Sequence, residues 1–310
     1  MPSSVDRALA LVGPTASGKT EAALSLASSF GAEIVSVDSM LIYRGMDIGT
    51  AKPTPAQRAA VRHHLLDLVD PSDAFSVARY KSAAAGAMAD LRARGVRPLL
   101  VGGSGLYFRA CVDDLEFPPT DPSVRADLTR QAEVLGARRL FARLRDMDPI
   151  AAAKIEPGNV RRTIRALEVA GLTGRAFSSF ASAWDRYPAD RVTVAGIDPD
   201  RASLGRRISR RVEVMMDAGW LEEVRSLADQ GLGGWLTATQ AIGYAELARH
   251  LDGAIPLEEA LALTVKRTKQ LARRQMAWFR RDPRVHWFTV GEGAALDAID
   301  RITAFLEKGA

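Results

Sequence analysis

Cysteine is almost missing from the sequence: Cys111 is the single one among 310 residues. One thiol closes no disulfide within the chain and builds no Cys-rich zinc site, so a reduced cytoplasm is the expected compartment. Long apolar runs are missing too. No segment approaches the roughly 18 consecutive apolar residues of a membrane span, and residues 1–7 hold nothing that could serve as a signal peptide. The expectation is a protein with no membrane association, not exported. No block of sequence repeats and no low-complexity tract occurs, which excludes solenoid arrays and long disordered arms. Charge is only mildly one-sided, 42 Lys and Arg against 37 Asp and Glu, so an anionic partner is favoured but the placement of the arginines has to decide it. The 47% hydrophobic content is that of an ordinary globular chain able to fold without staples.

Patterning supplies the outline. Residues 8–12 form a short apolar run that stops at a glycine loop, and a helical pattern follows from Glu21 to about Phe30. A second strand is expected over 33–37, a helix over 76–94, and a third, buried strand over 98–101 ending in Gly102-Gly103-Ser104-Gly105. Strands alternating with helices predict an α/β fold with a parallel sheet covered on both faces. Between Pro118 and Pro188 strand signals vanish and Arg- and Ala-rich helical pieces take over, so 118–188 reads as a helical insertion dividing a core of 1–117 and 189–310. A strand over 191–197 returns the chain to the sheet. Amphipathic helices follow over 204–218, 219–229 and 257–280, then a strand over 285–290 and a last helix over 294–306.

Gly13-Pro14-Thr15-Ala16-Ser17-Gly18-Lys19-Thr20 matches the phosphate-loop pattern G-x-x-x-x-G-K-[ST], and it lies between a strand and a helix as the mechanism requires. Glycines let backbone N–H groups turn inward around an anion, the helix N-terminus adds its positive end, and Lys19 adds a mobile cation. Thr20 would hold Mg²⁺. Such a loop by itself points to a nucleoside triphosphate, ATP above all, and a kinase or NTPase. Those enzymes carry an acidic residue closing a later apolar strand, whereas here Leu99-Leu100-Val101 runs into glycines. The carboxylate at a strand end near the loop is Asp38, placed to reach a reacting centre.

These residues, with Val37-Asp38-Ser39, Tyr43, Gly45-Met46-Asp47-Ile48-Gly49-Thr50-Ala51-Lys52-Pro53, Val101 through Tyr107, Arg161 through Val169, Ile242-Gly243-Tyr244 and Gln270-Leu271-Ala272-Arg273-Arg274-Gln275, resemble the tRNA dimethylallyltransferase family. The likeness runs over nearly the whole chain, in order. It implies a P-loop NTPase-like parallel sheet flanked by helices, with a helical insertion domain that contacts tRNA. It also implies that the loop holds the diphosphate of dimethylallyl diphosphate, with Mg²⁺, and that the acceptor is N6 of the adenine just 3′ of the anticodon in tRNA, flipped out of its loop. The products would be diphosphate and a dimethylallyl-adenine.

An exocyclic amine is a weak nucleophile, so a base is useful, and Asp38 fits that role. The leaving diphosphate calls for fixed donors: Lys19, Thr20, the loop amides and, by the resemblance, an arginine from the helix after the insertion. Arg207 is preferred for that place, with Arg211 the alternative. At 100° per residue Arg206, Arg207, Arg210 and Arg211 share an arc of about 140°, opposite Leu204, Ile208, Val212 and Met215. Further on, Lys266, Arg267, Lys269, Arg273, Arg274, Arg280 and Arg281 share an arc of roughly 160° suited to a phosphate backbone, away from Val265, Leu271, Met276 and Phe279. Trp278 and Trp287 are expected in the core rather than stacked on bases. By resemblance the tRNA contacts are Asp38, Ser39, Met40, Leu41, Ser104, Arg125, Arg161, Arg162, Thr163, Ile164, Arg165, Gln240, Ala241, Ile242, Gly243, Tyr244, Ala245, Arg273, Arg274, Gln275, Met276, Ala277, Trp278, Phe279 and Arg280. Ser104 stands where threonine is common and keeps the hydroxyl; Ala245 is shorter than in some members. His63-His64 looks like a metal pair, but adjacent strand positions point to opposite faces, so surface or packing roles are expected.

Three rival readings remain at this level: a small-molecule kinase using ATP, a prenyltransferase acting on free adenine nucleotides, and an RNA-binding protein with an idle loop. The insertion and the basic helices favour a polymeric acceptor, and a monomer is the default assembly.

Overall fold

A computed structural model describes residues 7–309 apart from Ser182, Leu236 and Gly293. Residues 1–6, most of the stretch excluded above as a signal peptide, lie outside the described residues. The chain forms two compact units, Met1–Val112 with Pro188–Ala310, and Asp113–Tyr187.

In the larger unit β1 (Ala8–Val12) is buried along its whole length, as a central parallel strand must be, and runs into the glycine loop and α1 (Lys19–Phe30). Left-handed Gly31 ends that helix and sends the chain into β2 (Ala32–Ser36). A long connection carries α2 (Pro55–Ala60), opened by a Thr54–Gln57 capping box, and β3 (His63–His64), a two-residue edge strand. The expected third strand is therefore the fourth, β4 (Arg97–Gly102), reached through α3 (Val77–Ala93), whose N-cap Ser76 accepts from Arg79 N. α4 (Gly105–Val112) closes this half.

The smaller unit is helical: α5 (Pro122–Leu135), α6 (Ala137–Met147), α7 (Pro149–Ala152) and α8 (Val160–Thr173), followed by a 3-10 turn over Phe177–Ala181. Its core is its own, built on Leu128, Leu140, Leu144, Ile155, Ile164 and Leu167. It begins at Asp113 rather than Pro118 because residues ahead of the prolines already belong with the helices. Glu116 pairs with Arg175, and Phe117 meets Trp184 edge to face with centroids 6.3 Å apart.

β5 (Val192–Pro199) returns to the sheet, and α9 (Arg201–Asp217), α10 (Trp220–Asp229), α11 (Tyr244–Leu251) and α12 (Leu257–Phe279) follow before β6 (Val285–Val290). The expected last helix is a 3-10 turn over Ala294–Ala298 and then α13 (Ile299–Lys308). All six strands are parallel in the order β3-β2-β4-β1-β5-β6, with Leu9 opposite Leu99 on one side and Ala10 opposite Val194 on the other. Leu9, Leu11, Leu26, Leu99, Ile197 and Leu306 share one core, each burial contributing about 1.5–3 kcal/mol over exposure. β1 is flanked by β4 and β5, so its glycine loop opens at the carboxyl ends of three strands, where open α/β sheets bind ligands.

Candidate functional site

Ala16 (φ 60°) and Gly18 (φ 79°) take left-handed conformations in the loop. Alternating backbone handedness turns successive N–H groups to one side, making an anion nest at the N-terminus of α1. A side chain at 18 is excluded twice, by φ and because its Cβ would lie 2.6 Å from the Ala294 Cβ. Lys19 Nζ folds back over the loop, donating to Pro14 O at 2.5 Å and Ser17 Oγ at 3.3 Å. The residue is half-buried, and burial first, then the charge of Arg211, bring its pKa down to about 7 against the pull of Asp38 and Glu21.

Asp38 stands two residues beyond β2. Its Oδ1 accepts from Met40 N at 2.8 Å, the Asx turn expected of an Asp at a strand end, while its other oxygen has no hydrogen-bond partner among the described residues. The β4 loop seats it: Ser104 N donates to Val37 O at 3.2 Å, and Gly102 has no room for a Cβ against that same carbonyl. Tyr80 and Tyr107, with ring centroids 4.3 Å apart, are buried within the field of Asp38, and Tyr107 also feels Tyr43. Burial raises the pKa of all three tyrosines. Asp38 thus lies within electrostatic reach of Tyr80, Tyr107 and Lys19 of the phosphate loop.

The four arginines of the α9 arc, Arg206, Arg207, Arg210 and Arg211, divide. Arg206 and Arg210 are exposed and pair with Glu292 and Glu213. Arg211 is half-buried; burial opposes its charge, and the charges of Asp38 and Glu21 sustain it. Arg207, preferred on sequence, donates to Gly291 O at 3.1 Å and Glu292 O at 3.3 Å, bracing the turn that packs on Gly18. Its buried Nε and Nη2 have no hydrogen-bond partner among the described residues. Arg211, not Arg207, is the arginine in the immediate field of Lys19.

Residues 45–53 are held by polar contacts centred on buried Lys52 and on Glu223. Lys52 Nζ reaches Tyr43 O at 2.6 Å, Asp47 Oδ1 at 2.5 Å and Asp67 Oδ1 at 2.7 Å. Glu223 accepts from the N–H groups of Asp47, Ile48 and Gly49 at 2.9, 2.8 and 3.2 Å, and from Tyr244 Oη at 2.6 Å. One carboxylate thus ties this segment to the Ile242-Gly243-Tyr244 motif.

The expected tRNA contacts separate by accessibility. Arg161, Arg162, Gln240, Arg273, Arg274, Ala277 and Arg280 are exposed, and Asp38, Ser39, Met40, Leu41, Ser104, Ile242, Ala245, Gln275, Met276 and Trp278 are half-buried. Thr163, Ile164, Ala241, Gly243, Tyr244 and Phe279 are buried and belong to the interior under the surface. Arg125 and Arg165 both pair at 2.8 Å with Glu168, which is fully buried, and Arg165 also donates to Pro118 O and Pro119 O. Arg280 pairs with Asp198, and Arg267 with buried Glu246. Gln275 is turned inward onto Thr15 N. Trp278 lies on Gly105, and Trp287 on Gly196, as packing aromatics. Between α9 and α12 runs a groove of about 1050 Å³ with Arg201, Arg206, Arg210, Lys269, Arg273 and Arg280 on its walls and Ile208 and Met276 among its apolar lining.

Among the described residues no cluster of three or more His, Cys, Asp or Glu could hold a metal ion. His63 Nδ1 meets Val61 O, and His64 Nε2 meets Glu33, so the pair serves the sheet edge. The Thr20 hydroxyl has no protein partner among the described residues. One hydroxyl beside a phosphate nest fits an ion of the Mg²⁺ type, which keeps waters and takes its remaining ligands from substrate phosphates.

Sequence reasoning missed Glu223, whose contacts to residues 47–49 span 174 to 176 positions, and Tyr80, which donates to Ser36 O 44 positions away; it also missed that Glu168, three residues from Arg165, holds Arg125 from 43 positions away.

A family model described as IPP transferase matches residues 41–282, and a second, isopentenyl transferase, matches 7–71. A tRNA dimethylallyltransferase of Bifidobacterium longum is 47% identical over 308 residues, covering 98% of this chain and 92% of that protein. One from Streptomyces coelicolor is 50% identical over 285 residues, covering 92% and 91%. Among solved structures, the full-length tRNA isopentenylpyrophosphate transferase of Bacillus halodurans is 38% identical, with a TM-score of 0.72 over 98% of this chain and 96% of that one.

Proposed function

The chain belongs to the IPP transferase family, whose curated members include tRNA dimethylallyltransferases, and from that membership we propose that it transfers a dimethylallyl group from dimethylallyl diphosphate to N6 of the adenine 3′ of the anticodon in tRNA. The observation that carries the reading is the convergence of Lys19, Arg211 and Asp38 at one glycine loop. The cations match a leaving diphosphate and the carboxylate matches an amine that must lose a proton.

N6 attacks C1 of the prenyl group as the C1–O bond breaks, and the bonding pair leaves with the diphosphate. The loop N–H groups, Lys19 and Arg211 meet that developing charge, and the unpartnered Nε and Nη2 of Arg207 are donors an adjacent anion would satisfy. Asp38 takes the N6 proton on its uncommitted oxygen, while the turn to Met40 N fixes the other. Tyr43, Tyr80 and Tyr107 wall the Asp38 side and exclude water from an allyl group prone to hydrolysis. Thr20 would hold Mg²⁺, which when bound neutralises charge on the diphosphate.

The exposed basic face of α12 and its groove with α9 follow tRNA phosphates, and in the insertion Arg161 and Arg162 contribute from their own surface. All of these groups lie on one chain, so a monomer suffices, and the cytoplasm is where such a substrate is met. No helix among the described residues is long and apolar enough to cross a membrane. The kinase and free-nucleotide readings are not favoured. The deciding assay incubates the protein with unmodified tRNA and labelled dimethylallyl diphosphate, with Mg²⁺ and without ATP, and counts label in RNA. Incorporation is expected, and its absence would overturn the proposal.

A further inference from the structure

Gln275 lies on α12 beside exposed Arg274, yet its side chain enters the interior. Its Oε1 accepts the N–H of Thr15 at 2.8 Å, across 260 residues of sequence. The amide fills the notch above Gly103, where an added Cβ would lie 3.0 Å from the Gln275 Cδ and 3.1 Å from Gly13 O. The carboxamide is thus wedged between the phosphate loop and the β4 loop.

A phosphate nest works by offering N–H groups to anionic oxygens, and one already bonded to a carboxamide oxygen is withdrawn from that set. Thr15 is the third residue of the loop, away from the α1 N-terminus, where the helix dipole, the last loop amides and Lys19 gather the first phosphoryl groups. A longer anion has to extend outward, and there the Thr15 N–H is already taken and the carboxamide fills the space, where a nucleotide-binding loop would present a free donor. We propose that Gln275 sets the length of the anion the loop accepts, favouring two phosphoryl groups over three. On this account it is a specificity-determining residue that makes a loop of the triphosphate type serve a diphosphate. The inference rests on the donor-loop reading above, and it assigns Gln275 to the donor rather than to the tRNA surface.

The test measures binding of inorganic diphosphate and inorganic triphosphate to the full chain with Mg²⁺ by titration calorimetry. The unaltered protein is expected to prefer diphosphate. Gln275→Ala frees the Thr15 N–H, and the triphosphate-to-diphosphate affinity ratio is expected to rise about tenfold, the effect of one regained charge-assisted hydrogen bond. Gln275→Met keeps the side-chain length over Gly103 without the acceptor and should shift the ratio the same way, which separates the effect from lost packing. A ratio within about twofold of the unaltered protein in both variants overturns the proposal. If the unaltered protein binds no diphosphate and Lys19→Ala behaves alike, the donor-loop reading itself fails, and this inference with it.

Discussion

The Lys19 ammonium donates to Pro14 O and Ser17 Oγ, and burial, then the charge of Arg211, brings its pKa to about 7. An anion bound against it favours the charged form, so donor binding should raise that pKa and take up a proton at and above neutrality. Diphosphate affinity is then expected to fall as pH rises from 7 toward 9, and calorimetry in buffers of different ionisation enthalpy should show the uptake. Identical apparent enthalpies in all buffers would count against it. Asp38 carries a different expectation. Asp38→Ala should lower the chemical step by about 10²- to 10⁴-fold while leaving tRNA affinity nearly unchanged, and Lys19→Ala should weaken donor binding. Equal losses of tRNA binding in the two variants would remove Asp38 from the role of base. Residue types and spacing made Lys19 and Asp38 legible in the sequence, because their roles follow from a loop and a strand end. Gln275 was not legible in its role, because only the packing of α12 brings it to Thr15.

At the scale of elements, the Gly103-Ser104-Gly105 turn is bare where α12 docks. Gln275 and Trp278, one helical turn apart, occupy the space that side chains at 103 and 105 would need. Gly105→Ala drives a methyl group into the Trp278 ring, and the overpacking should cost about 1–3 kcal/mol, read as a lower urea midpoint. Glu223 plays a comparable part for the 45–53 segment, since three N–H groups converge on its carboxylate. Glu223→Ala should destabilise by about 1–3 kcal/mol and speed amide hydrogen exchange at Asp47, Ile48 and Gly49 before the rest of the sheet opens. Unchanged protection at those amides would show that the segment is held some other way.

Over the whole molecule, two sets of arginines should behave differently on substitution. Arg273→Ala removes an exposed charge from the α12 face and should lower the salt slope of tRNA binding by about one, with stability intact. Arg125→Ala leaves buried Glu168 with fewer partners, so its first effect should be lower stability of the helical unit, seen by calorimetry. At the sheet edge the Arg94 guanidinium, followed by His64, holds the Glu33 carboxyl down at about 2 against an ordinary value of 4.5. A carboxylate with a depressed folded pKa stabilises above its unfolded value and loses that contribution as pH falls from about 4.5 to 2, so Glu33→Gln should flatten acid unfolding in that window. What the sequence determined by itself is what depends on near neighbours: the strand, loop and helix around Lys19, the alternation that builds a parallel sheet, and the apolar and basic arcs of α9 and α12. Only the tertiary structure decided that Arg211 rather than Arg207 lies in the field of Lys19, that Glu168 holds Arg125 and Arg165, and that Gln275 closes one side of the phosphate loop. Helical periodicity fixes which residues share a face, and what that face meets depends on contacts with segments far away in the chain.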